Sequence, residues 1–195
     1  MSSPAVFLDR DGVLIEDVHL LTRPSEVRLT PGAANCVLSL REQGFLVVVV
    51  TNQTVVARGL ASESDVRKVH RHIQALLEDD AGEAGTISDF RFCPHHPAAD
   101  VARYRVDCTC RKPRPGMILD AAHELDIDPT QSFLVGDRPT DIVAGREAGC
   151  TTVLVETGRH HERPTETTRS VDPATRPDHT ADGLTAATEW IVRDR

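Results

Sequence analysis

Short apolar runs that stop abruptly at polar residues recur along the chain, and stretches of helical period fill the intervals between them. AVFL (5–8) stops at Asp9, FLVVVV (45–50) at Thr51-Asn52-Gln53, and DFRFC (89–93) at a segment rich in Cys and His. SFLVGD (132–137) and TTVLVE (151–156) follow the same design. The run at 45–50 is β-branched and lacks alternation, as expected of a strand covered on both faces. A helix opened by the cap Thr30 and the first-turn Pro31 carries Ala33, Ala34, Val37, Leu38 and Leu40 inward and stops at Gly44. A longer helix begins near Ser62, with Val66, Val69, Ile73, Leu76 and Leu77 along one face. Pro115 opens another through Met117, Ile118, Ala121, Ala122 and Leu125; Pro139 to Gly149 gives a fourth, and residues 183–193 a terminal one. Residues 158–182, rich in Thr, Pro, Arg and His without period, read as a long mobile surface loop.

Strands alternating with helices predict a single α/β domain over 1–195, a doubly wound, Rossmann-like parallel sheet with helices on both faces. Ligands in such folds gather beyond the C-terminal ends of the strands. Asp9, Thr51 and Asp137 each follow a predicted strand, so they should converge.

Composition narrows the partners. The chain has 195 residues, 39% of them hydrophobic, which suffices for one core. Its longest apolar run, FLVVVV, is far short of the roughly 20 residues of a membrane helix. MSSPAVFLDRDG lacks the layout of a secretory signal, so a cytoplasmic protein with reduced thiols is expected. No exposed apolar stripe stands out, which points to a monomer. A net charge of −8 argues against nucleic-acid and membrane partners. Arg103, Arg105, Arg111, Lys112 and Arg114 nevertheless crowd one segment, as a small anionic substrate would require. Only two of the 22 basic residues are lysines, Lys68 and Lys112, so a lysine retained in such a chain points to a need for an ammonium.

DRDG (9–12) could be a calcium loop, but counting from Asp9 the fifth position of an EF-hand falls on Val13, which offers no side-chain oxygen, and no Glu stands at the twelfth. Phosphate monoesters suit the pattern better. Their hydrolysis is among the slowest in biology, and a carboxylate nucleophile divides it into two easier steps through an aspartyl phosphate. Asp9 would attack, and Asp11 would protonate the leaving alkoxide and then activate water. Thr51 and Lys112 would donate to the phosphoryl oxygens, Asp137 would bind magnesium, and Asp141 would order that site.

Cys93-x-His95 and Cys108-x-Cys110 form two short claws twelve residues apart. Three thiolates and one imidazole make a closed tetrahedral zinc set, in which His95 or His96 could serve. A disulfide between Cys108 and Cys110 would be strained. Cys36 and Cys150 lie in apolar contexts and read as core. His70, His72, His160 and His161 read as solvated and receive no role.

FLDRDG, VVVVTNQ, CRKPRPGM and VGDRPTD resemble the four motifs of the haloacid dehalogenase superfamily of phosphotransferases. The Cys/His segment narrows the resemblance to its heptose-1,7-bisphosphate and histidinol-phosphate phosphatases, over about residues 5–158. The resemblance implies that Asp9, Asp11 and Asp137 hold magnesium and that Cys93, His95, Cys108 and Cys110 hold a structural zinc in place of a large cap domain. It implies further that Asn52, Gln53, Arg58, Arg111 and Arg138 meet the substrate, a small phosphorylated sugar. Removal of the 7-phosphate of heptose 1,7-bisphosphate is the leading expectation; histidinol phosphate and a catalytically silent binding module are the alternatives. The chain departs from the family pattern at Thr54-Val55-Val56, at His19-Leu20 and at Arg138.

Overall fold

The computed structural model describes residues 2–81, 86–158 and 176–194. Six parallel strands form one sheet in the order β3-β2-β1-β4-β5-β6. They are β1 (Ala5–Leu8), β2 (Leu46–Asn52), β3 (Asp89–Cys93), β4 (Phe133–Gly136), β5 (Thr151–Val155) and β6 (His179–Ala181). The helices are α1 (Ala33–Glu42), α2 (Thr54–Ala57), α3 (Glu63–Ala81), α4 (Gly116–Glu124), α5 (Pro139–Ala148) and α6 (Leu184–Asp194).

Alternate residues of the strands feed two cores. Val6, Leu8, Val47, Val49, Val135 and Val153 pack with apolar residues of α1, α3 and α6. Ala5, Phe7, Val48, Val50 and Leu134 pack on the other face against Met117, Ile118 and Ala121 of α4 and Ala144 of α5. A smaller cluster joins Val55, Val56 and Ala57 of α2 to Val66, Ala99 and Tyr104. The departure at Thr54-Val55-Val56 is therefore absorbed as a buried helical turn. Cys36 and Cys150 are core residues, as expected.

Several local readings change. Gly32, at φ +76°, rather than Thr30 caps α1, because the Thr30 hydroxyl is taken by the carbonyls of Val13 (2.7 Å) and Leu14 (3.2 Å). The stretch read as loop over 158–182 contains β6, which joins the sheet beyond β5; residues 159–175 lie outside the described residues, and His160 and His161 with them. The Asp178 carboxylate accepts from the Thr152 amide (2.8 Å) and hydroxyl (2.7 Å), and so fastens the entry to that short strand. His70 is not solvated: it is 5% exposed on the inner face of α3. No helix among the described residues is long and apolar enough to cross a membrane.

The chain runs β1-β2-β3 outward on one side of the sheet and β4-β5-β6 on the other. The reversal falls between β1 and β4, which pair with Leu8 opposite Val135. A crevice opens at such a reversal. Asp9, directly after β1, donates its amide to the Val135 carbonyl (2.9 Å) and stands at the floor of that crevice.

Candidate active site

The crevice is a cavity of about 430 Å³, lined among others by Asp9, Asp11, Thr51, Asn52, Gln53, Arg58, Arg111, Lys112, Arg138 and Asp141. Carboxylate oxygens of Asp9, Asp137 and Asp141 lie within 4.8 Å of one another, and all three residues are buried. Asp9 and Asp137 follow parallel strands, while Asp141 stands in the first turn of α5 and accepts from the Arg138 amide (3.0 Å). Glycines let these groups come so close. A side chain on Gly136 would overlap Asp141, and one on Gly158 would overlap Asp137.

One ammonium faces this group from within. Lys112, 2% exposed, lies 2.9 Å from Asp9 and 2.7 Å from Asp141 and donates to the Val50 carbonyl (2.8 Å). Burial opposes the Lys112 charge, but Asp141 and Asp9 outweigh it and raise its pKa. The Asp9 carboxyl is itself pushed up to about 6, chiefly by burial, against the attraction of Lys112 and with added repulsion from Asp141 and Asp11. Buried negative charge therefore exceeds what the lysine neutralises. Hard oxygen donors in that state fit a magnesium ion.

Lys112 is positioned by both of its neighbouring structures. The Asn52 side chain, at the end of β2, donates to the Lys112 carbonyl (3.0 Å) and accepts from its amide (3.1 Å). On the other side lies the Cys/His clip. Cys110 Sγ is 3.2 Å from Cys93 Sγ, 3.3 Å from Cys108 Sγ and 3.5 Å from His95 Nδ1; Cys93 Sγ is 3.6 Å from Cys108 Sγ and 3.8 Å from His95 Nδ1. A tetrahedral zinc with these ligands sets separations of about 3.5–3.8 Å, so the four residues fit the ion. Cys110 is the readiest thiolate: hydrogen bonds, first from Cys93, hold its pKa down at about 5. His95 faces the sulfurs, whereas His96 lines the cavity.

The basic cluster of this segment divides by role. Arg105 donates to the Ala99 carbonyl (2.8 and 3.0 Å), Arg114 to the Cys108 carbonyl (2.7 Å), and Arg103 lies over the Tyr104 ring (4.9 Å). These three brace the loop. Arg111 and Lys112 alone of the five line the cavity. Arg111 donates to the His95 carbonyl (3.0 Å), and its Nε is buried without a hydrogen-bond acceptor.

Asp11 lines the same cavity. Its carboxylate stands apart from the Asp9, Asp137 and Asp141 group and is held by Arg10 at 2.9 and 3.2 Å and by the Gln53 amide at 2.9 Å. Burial would raise the Asp11 pKa, but the Arg10 charge and these hydrogen bonds bring it below the usual value. Gln53 also donates to Thr51 Oγ1 (2.9 Å). Accepting there leaves the Thr51 hydroxyl hydrogen available to the cavity. Arg58 is exposed at the rim, and Arg138 approaches Asp17 to 3.7 Å across the mouth.

Comparison with known proteins matches this geometry to a family. Residues 109–187 fit the HAD-hydrolase-like family model. A D-glycero-beta-D-manno-heptose-1,7-bisphosphate 7-phosphatase of Rhodopseudomonas palustris is 44% identical over 75% of this chain and 79% of its own. The corresponding D-glycero-D-manno-heptose-1,7-bisphosphate 7-phosphatase of Thermosynechococcus vestitus is 40% identical over 98% of this chain and 96% of its own. The chain belongs to the heptose-bisphosphate phosphatase family of haloacid dehalogenase-like hydrolases. A crystal structure of the B. bronchiseptica D,D-heptose 1,7-bisphosphate phosphatase, complexed with magnesium and phosphate, superposes with a TM-score of 0.81 at 30% identity, covering 98% of this chain and 99% of that one. The family fold thus accounts for the six-stranded sheet and for the crevice that carries the three buried aspartates.

Proposed function

We propose that this protein is a phosphomonoesterase that removes the 7-phosphate of D-glycero-D-manno-heptose 1,7-bisphosphate through a phosphoaspartate on Asp9. The observation that carries this reading is the Asp9 carboxylate at the cavity floor, 2.9 Å from the Lys112 ammonium and grouped with Asp137 and Asp141. The relatives named above support heptose bisphosphate over histidinol phosphate. Competent residues at all four motifs argue against a silent binding module.

Asp9, Asp137 and Asp141 would hold magnesium, which offsets repulsion between the phosphate and the carboxylates. An Asp9 oxygen attacks phosphorus and the bond to the sugar oxygen breaks. Asp11 is ionised beside Arg10 in the free protein. It takes up a proton from solvent as the phosphate enters, because the added negative charge raises its pKa, and gives that proton to the leaving alkoxide. Lys112 and the Thr51 hydroxyl donate to the phosphoryl oxygens as charge gathers on them. Asp11 then takes a proton from the water that attacks the phosphoaspartate, which releases inorganic phosphate and restores Asp9. Arg111, Arg138 and Arg58, with His96 beside them, form a basic outer wall suited to a second phosphate. Cys93, His95, Cys108 and Cys110 would hold zinc as a structural ion. A clip of reduced thiols suits the cytoplasm.

The test is phosphate release with magnesium from heptose 1,7-bisphosphate, histidinol phosphate and simple sugar monophosphates. The heptose ester should give the highest kcat/KM, and Asp9→Asn should lose about 10⁴-fold or more. Turnover surviving in Asp9→Asn would overturn the phosphoaspartate, and a preference for histidinol phosphate would overturn the substrate.

A further inference from the structure

A buried polar layer lies beneath Asp11, and the reaction above assigns it nothing. Arg10 is 1% exposed, yet its guanidinium is fully engaged on one side. Nη2 donates to Asp11 Oδ1 (2.9 Å) and Gln53 Oε1 (2.9 Å), and Nε donates to Asp11 Oδ2 (3.2 Å). Nη1 points to Nε2 of His70 at 3.4 Å, from an element distant in sequence. A guanidinium has only donors, so His70 Nε2 must be the acceptor and Nδ1 must carry the ring proton. The ring is fixed by packing: it stacks on Phe90 with centroids 4.8 Å apart and 19° between planes, and meets the edge of Phe92 at 5.7 Å. Gln53 closes the layer, accepting from Arg10 and donating to Asp11 Oδ2 and Thr51.

We propose that His70 is a positioning residue for Asp11, acting through Arg10: its ring nitrogen fixes the guanidinium plane, and that plane, with Gln53, fixes both carboxylate oxygens. The role rests on the reading of Asp11 as the proton donor to the leaving group. Burial and the neighbouring Arg10 charge both disfavour imidazolium and push the His70 pKa down to about 3, so the acceptor persists across the working range. Without it, a buried N–H of Arg10 would lack a partner, a penalty that the guanidinium escapes by turning. Asp11 turns with it.

Leaving-group dependence separates this role from a merely structural one. A sugar alkoxide needs a proton as it departs, whereas p-nitrophenolate leaves almost unaided. His70→Phe keeps the ring stack and deletes the nitrogen; His70→Leu makes the same deletion with less volume, so the comparison does not depend on one variant folding. Both should lose about tenfold or more in kcat/KM on a sugar phosphate and less than about threefold on p-nitrophenyl phosphate, since general acid catalysis is worth about 10²–10⁴ when complete. His70→Gln, which restores an acceptor near Nε2, should recover most of the loss. A two-bond ¹H–¹⁵N spectrum of the wild type should show a pyridine-type Nε2. Equal losses on both esters, no rescue by Gln, or a proton on Nε2 would overturn the proposal. A wild type that hydrolyses neither ester would instead overturn the phosphatase reading itself.

Discussion

The two candidate metal-ligand groups of this molecule, bridged in sequence by the short step from Cys110 to Lys112, are built in opposite ways. The carboxylates are hard donors, two at the ends of central strands and the third in the first turn of α5; apolar layers back them on both faces of the sheet, and Asp9 and Asp141 line the cavity. The clip is a closed set of soft donors: Cys93 ends β3 inside the core that α4 covers, Cys108 and Cys110 lie against that core, and the loop between the two claws rests on a small cluster around Ala99 and Tyr104. Packing orders the first. The second joins that core to a polar, arginine-braced loop, to which a bound metal would add the order that burial alone does not supply. Lys112 belongs to both, since its ammonium sits among the carboxylates and its peptide follows the clip.

The strongest way to break the contrast is to empty the clip. Cys110→Ser should lose bound zinc, as read by elemental analysis, and lower turnover about 10- to 100-fold, the scale of a 1 Å misplacement of a catalytic group. Zinc loss with unchanged turnover would show that the strands alone position Lys112. A finer cut severs the other tether. Asn52→Ala removes two hydrogen bonds worth about 1 kcal/mol each, so turnover should fall by up to about 30-fold while zinc content stays that of the wild type.

The smallest effect concerns the layer under the carboxylates. The folded pKa of His70 lies below its unfolded value of 6.5, so the unfolded chain binds the extra proton and stability falls as pH drops below 6.5 towards 3. Between pH 7 and 5.5 this term should cost about 1 kcal/mol. Denaturation of wild type and His70→Gln at both pH values isolates it, because the thiols and carboxylates titrate in each protein alike. A pH dependence equal in the two would show that His70 is protonated in the folded state.

The strands and their terminal residues were legible because an unbroken apolar run cut off by a polar residue is the mark of a buried strand reaching the edge of its sheet. Asp9, Thr51 and Asp137 could be read as convergent from that alone. Other features needed the third dimension. β6 has three residues and is fastened by the Asp178 side chain, so it leaves no hydrophobic period to detect. The arginines of the clip segment look alike in sequence, yet three brace the loop and Arg111 faces the cavity. Asp141, expected to order the site from the start of its helix, lies within the carboxylate group itself, while Arg10 holds the Asp11 carboxylate beside it. The burial of His70 did leave a trace: Val66, His70, Ile73 and Leu77 follow helical spacing along the inner face of α3.

The exposed turn at Arg105, Val106 and Asp107 gives the fold a place to grow. Chain on one side is held by Tyr104, whose hydroxyl donates to Glu63 (3.1 Å), and on the other by Cys108 and the Gly116 amide bonded to the Thr109 carbonyl (3.1 Å). Because both banks are anchored, residues inserted between them alter only the entropy of a loop already closed, about 0.6 kcal/mol for each doubling of its length. A peptide or small domain grafted there would extend the surface without shifting the lysine, making this turn a port for insertions.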